Sequence, residues 1–185
     1  MDWLLTEFSP AASGDHNRKN QLACEMAVIR LHDSWARFCR EVVILSSLGN
    51  VVTVGGQALT RSHPDMIHRR VFTPVYLRIA NANQEPRWAD STACIRAATR
   101  LSIQNLANVS LALGAANSPA ETMRRVRNFY AHRGHKTADG AKTTPCFPLG
   151  KQPTVFHLND YTAGGVTIFE SWTQELFTVA AAAIQ

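Results

Sequence analysis

From Arg18 to about Ser46 the chain runs without glycine or proline. Within that stretch Leu22, Met26, Ile29, Trp35, Phe38, Val42 and Leu45 recur near helical spacing. An uninterrupted stretch of this kind has one simple outcome: a long amphipathic helix whose apolar side must be covered by other helices. Gly49-Asn50 and Gly55-Gly56 end it. Val51, Val52 and Val54 between them fit either a short strand or an apolar loop.

The same punctuation divides the rest of the chain. Ser62 or Asp65 caps a second helix, from Met66 to about Asn81, which Pro74 should kink or split. Trp88 to Gly114 reads as one helix with a buried stripe of Ile95, Ala98, Leu101, Leu106, Val109 and Leu113, stopped by Gly114. Ser118-Pro119-Ala120-Glu121 opens another. The serine caps, the proline occupies the first turn, and the glutamate stands three residues after the cap. A final helix is expected from about Val166 to Ile184. The expectation is therefore an all-α bundle of four to five helices in a single domain spanning residues 1–185, with residues 1–17 as an N-terminal arm and 135–160 as a loop insertion.

Composition narrows the function classes. Hydrophobic residues make up 45% and charged ones 18%, a globular balance. The net charge of +5 and pI near 9.3 favour a polyanionic partner. Cys24, Cys39, Cys94 and Cys146 are far apart and form no CxxC pair, so no structural zinc site is expected. No cofactor is expected either, because "GGQALTR" and "AGGVT" lack the Gly-Lys-Ser/Thr of a phosphate loop. The first residues lack the pattern of a secretory signal, and no run of apolar residues is long enough to span a membrane. The expected setting is the cytoplasm, with thiols reduced.

One stretch concentrates chemistry. "MRRVRNFYAHRG", residues 123 to 134, holds four arginines and a histidine, with no acid between Glu121 and Asp139. On a helical wheel Met123, Val126, Phe129 and Tyr130 share the core arc. Arg124, Arg125, Arg127, Asn128, Ala131 and His132 share the opposite one. Asn128 and His132 are one above the other, and Arg127 and His132 bracket the face about 140° apart. Cleavage of RNA requires the 2′-hydroxyl to lose a proton, the 5′-oxygen to gain one, and the crowded phosphate's charge to be met. Histidine titrates in the range that serves either transfer. Arginine offers a planar, permanently charged fork to phosphate oxygens. Arg124, Arg125, Arg133, His135 and Lys136 flank the motif as candidate contacts to the RNA backbone. The plainer alternative is a basic face that is simply solvated or packed on an acidic neighbour. A helix-turn-helix reading, with 118–134 as recognition helix, is a further alternative, though Phe129-Tyr130 suits burial better.

Arg127-Asn128-Phe129-Tyr130-Ala131-His132 resembles the signature of the HEPN superfamily, and "VRNFYAHR" resembles the RNxxAH form of small bacterial members. "DSWARFCREVVILSSLG" is similar to the first helix of stand-alone members. The resemblance implies a helical homodimer whose two motifs meet in a composite site. It also implies metal-independent endoribonuclease activity leaving a cyclic phosphate, and a role as a toxin or anti-phage effector with a cognate antitoxin or defence-system protein as partner. Carried over, Arg127 would stabilise the phosphate, His132 would transfer the proton and Asn128 would support them. Gly134 stands where members silenced by a partner nucleotidyltransferase have tyrosine, so control of that kind is not implied. The rival reading is a catalytically inactive HEPN-type module that binds protein or nucleotide.

Overall fold

The computed structural model describes residues 18–115, 119–147, 158, 162–163 and 165–185. The arm over 1–17, the Ser118 cap and most of the loop beyond Phe147 lie outside the described residues. The described residues form α1 (Arg18–Leu48), a 3-10 turn (Arg69–Val71), α2 (Phe72–Ala80), α3 (Ser91–Arg100), α4 (Leu106–Leu113), α5 (Ala120–His132), α6 (His135–Lys142) and α7 (Ile168–Ala183). The only strands among them are the two-residue β1 (Thr162–Ala163) and β2 (Val166–Thr167), paired antiparallel. The protein is all-α, as its patterning predicts. No helix among the described residues is long and apolar enough to cross a membrane.

The chain falls into two compact units. One comprises Glu121–Glu175 with residues up to Asp33, the other Ser34–Ala120 with Leu176–Gln185. In the second unit, Cys39, Val43, Ile44, Met66, Phe72, Cys94, Ala97, Ala98 and Val109 are fully buried. Carboxylate Glu85 ties this unit's polar edge together. It accepts from Arg40 Nε at 3.1 Å, from Arg40 Nη2 at 3.3 Å, from Trp88 Nε1 at 2.8 Å and from the Thr73 hydroxyl. Burial alone would raise its pKa, but these donors outweigh burial and lower it. The C-terminal end of α7 is capped by side chains rather than by a glycine. Asn105 Nδ2 donates to the Ala183 carbonyl at 3.3 Å and Asn108 Nδ2 to that of Gln185 at 2.6 Å.

Four local expectations are corrected. The helix expected from Met66 begins only at Phe72, which places Pro74 in the first turn, where its missing N–H costs nothing and no kink is needed. The helix expected from Trp88 to Gly114 is two. Asp90 caps α3 by accepting from Ala93 N at 3.1 Å, and Ser102 at φ 50° turns the chain before α4. The loop expected over 135–160 opens with α6, whose start is closed by Thr137, which accepts from Gly134 N at 3.1 Å and donates to Gly134 O at 2.8 Å. Between Gly49 and Thr60 the valines form neither a strand nor a plain loop but a single antiparallel bridge, Val52 to Ala58.

Replacing Glu85 with alanine should leave the Arg40, Thr73 and Trp88 donors short of their acceptor. It is expected to cost about 1–3 kcal/mol, read by urea unfolding, with Glu85→Gln recovering part of the loss.

Candidate functional site

The first unit is organised by α1 and α5. On α5 the expected core positions Met123, Val126 and Tyr130 are buried, and Phe129 is half-buried against the Tyr130 ring at 5.2 Å between centroids. On α1 the expected stripe holds at Trp35 and Val42, which are buried, but fails at the N-terminal end. Leu22 and Met26 are exposed, while Cys24, Ala27, Val28 and Leu31 are buried, and with them Glu25 and His32. Seven residues separate Glu25 from His32, two helical turns, so both point the same way.

That polar face meets the arginines of α5. The Glu25 carboxylate, only 6% exposed, accepts from Arg133 and, at 2.8 Å, from Gln21 Nε2. Arg133 lies just past the helix end at φ 46°, a left-handed conformation that costs a side-chain-bearing residue about 1–2 kcal/mol. Its N–H donates to the Phe129 carbonyl at 2.7 Å and closes the last turn. The ion pair to Glu25 thus holds a conformation that glycine would adopt more readily. Tyr130 is close by. Its hydroxyl is buried without a hydrogen-bond partner, and its pKa is raised, chiefly by burial and next by the Glu25 charge.

Two turns further along α1, Asp33 faces Arg127. Their separation is 3.9 Å from Nη2 to Oδ1, and the same Oδ1 is 3.4 Å from His32 Nδ1. Arg127 Nη1 donates at 3.5 Å to Oδ1 of half-buried Asn128. Arg127 Nε and His32 Nε2 are both buried with no hydrogen-bond partner. Burial does most to lower the pKa of His32. Its contact with Asp33 works against that, and the charges of Arg127 and Arg124 add to the lowering.

The remaining predicted site residues divide into two groups. Glu121 binds Arg124 through two bonds of 2.7 Å and Arg125 Nε at 3.0 Å, while Arg125 Nη1 also donates to Thr143 Oγ1 at 3.0 Å. These bonds, Arg124 first, hold Glu121's pKa low against its partial burial. His132, in the last turn of α5, and His135 and Lys136, at the start of α6, are exposed. The arrangement brings Arg127, Asn128, His32 and Asp33 together and leaves His132 open to solvent at the helix end.

Sequence reasoning identified α5 but missed α1's contribution. The missed signal was "LHDSW": a histidine and an aspartate interrupting the apolar pattern seven and eight residues after Glu25. Among the described residues no group of three His, Cys, Asp or Glu side chains is placed to hold a metal ion. No family model, curated protein or solved structure matches the chain.

Two outcomes follow from this geometry. Because the folded His32 pKa lies below its ordinary value of 6.5, the unfolded chain binds that proton first as pH falls. The stability His32 contributes is complete above about pH 6.5 and is lost as pH drops from there through the lower folded value. Urea unfolding at pH 7.5 and 5.5 should show this decline, and His32→Gln should flatten it. At position 133, both Arg133→Ala and Arg133→Gly strip Glu25 of its cation and should destabilise the fold. The glycine variant should be the more stable of the two by about 1 kcal/mol, because it removes the left-handed strain that alanine keeps.

Proposed function

We propose that the protein is a metal-independent endoribonuclease of HEPN type, acting as a homodimer on RNA, in which Arg127 stabilises the phosphate, His132 transfers protons and Asn128 steadies the guanidinium. The observation that carries this reading is the unequal engagement of the four arginines. Arg124, Arg125 and Arg133 each lie within 3.0 Å of a carboxylate oxygen, whereas Arg127 stands 3.9 Å from its own, with 27% of its side chain exposed. It is the arginine of the stretch left with capacity for an incoming anion. One turn further on, His132 presents its imidazole to solvent.

In the proposed reaction the 2′-oxygen of the substrate attacks the adjacent phosphorus as a base takes its proton. The bond to the 5′-oxygen breaks, that oxygen receives a proton, and a cyclic phosphate end remains. His132 serves one transfer, and its counterpart from the second copy of the chain serves the other. Arg127 meets the charge gathering on the non-bridging oxygens, a contribution of several kcal/mol where the donor is already in place. In this reading His135 and Lys136 hold the RNA backbone. Arg124, Arg125 and Arg133, already engaged, act mainly by shaping the face. A cytoplasmic toxin or defence effector, controlled by a partner protein, is the biological role this activity fits.

The same pairing of Arg124, Arg125 and Arg133 with Glu121 and Glu25 supports a second reading, a catalytically inactive helical module for protein or nucleotide binding.

Incubation of the purified chain with total RNA in excess EDTA separates the two. The ribonuclease reading expects fragments with cyclic phosphate ends, and a rate lower by about 10²-fold or more in His132→Ala and Arg127→Ala. No cleavage by the parent, or equal cleavage by parent and both variants, removes it in favour of the binding module.

A further inference from the structure

Arg127 is a long side chain on a helix face, and within α5 only the 3.5 Å contact to Asn128 holds it. Its aim has to come from elsewhere, and α1 supplies it. Oδ1 of Asp33 lies 3.9 Å from Arg127 Nη2 and 3.4 Å from His32 Nδ1, so a single carboxylate oxygen faces both the guanidinium and the imidazole. The Nε of Arg127 is buried without a partner, and Asp33, itself 58% exposed, draws the distal end toward the surface. His32 is nearly sealed in the protein beneath. We propose that Asp33 and His32 are positioning residues that aim the Arg127 guanidinium at a phosphodiester, an assignment that rests on the ribonuclease reading.

The roles of the pair follow from their charges. The groups facing His32 are Asp33 on its own helix and Arg127 and Arg124 on α5. A neutral imidazole with its proton on Nδ1 donates to Asp33 and holds the carboxylate's orientation without cancelling its charge, which stays available to Arg127. Asp33 is too far from Arg127 for a tight two-bond fork, so it orients the cation without consuming its donors. His32 and Asp33 do not touch substrate in this arrangement. They act through Arg127.

The test compares Asp33→Asn, His32→Asn and His32→Leu with the parent and Arg127→Ala. It measures kcat and KM for RNA cleavage in EDTA, and solvent exchange of the Arg127 Nε proton by nitrogen-edited NMR. Asparagine at position 32 keeps an N–H close to where Nδ1 stands, and leucine does not. The proposal expects Asp33→Asn to exchange the Arg127 Nε proton at least tenfold faster. It also expects kcat to fall about tenfold with KM within twofold, and His32→Asn to sit nearer the parent than His32→Leu in both measurements. Exchange unchanged in Asp33→Asn overturns it, as does a kcat within twofold of the parent. If those results come while Arg127→Ala is inactive, the positioning assignment falls alone and the ribonuclease reading stands. If the parent leaves RNA intact, both fall.

Discussion

A carboxylate that has left water is costly to the fold unless a cation or hydrogen-bond donors match it. Glu25 is such a group. It sits on the buried side of α1, and its matching cation is Arg133, beyond the end of α5. This pairing sets the register of the first unit. With Glu25 at Arg133 and Asp33 at Arg127, sequence numbers rise along one helix as they fall along the other, so α1 and α5 run antiparallel with their polar faces in register. The last turn of α5, which carries His132, ends where Arg133 is caught. A register error of one residue would rotate Arg127 by about 100° away from Asp33. The proposed chemistry therefore depends on an ion pair that takes no part in it.

The all-helical class was legible because periodicity and punctuation agree over most of the chain. The core face of α5 was legible for the same reason: Met123, Val126 and Tyr130 are large, evenly spaced and buried. The phase of α1 was misjudged only at its N-terminal end, where the buried face is made largely of small residues and polar ones. Cys24, Ala27 and Val28 carry little weight beside Leu22 and Met26, yet they face inward and the larger pair faces out. Where helices end was the least legible feature. The break between α3 and α4 comes at Ser102, a non-glycine residue in a left-handed conformation, which no glycine or proline announces.

The charge of the opening motif was read correctly as a sum and incompletely as an environment. Along the chain the arginines have no acid between Glu121 and Asp139, which suggested a cationic platform. In three dimensions Glu121, Glu25 and Asp33 face the four arginines, two of those acids from more than ninety residues earlier in the sequence. Sequence separation hides such pairing entirely. The plainer alternative, a basic face set against acidic neighbours, thus describes three of the four arginines well.

Arg127 is the exception, and its neighbourhood explains why. A carboxylate at hydrogen-bond distance would satisfy the guanidinium and leave little for a ligand, while no carboxylate at all would let the side chain wander. Asp33 at 3.9 Å lies between these limits, and burial of His32 beside it lowers the imidazole's pKa and so disfavours a competing positive charge. Protonating His32 would draw Asp33 toward the imidazole and slacken its hold on Arg127. Burial works against that proton, and each arginine of α5 brought near it works against it further. The same desolvation that makes α1's polar face costly to bury thus keeps its aspartate available to orient Arg127, the arginine of α5 that no carboxylate holds at hydrogen-bond distance.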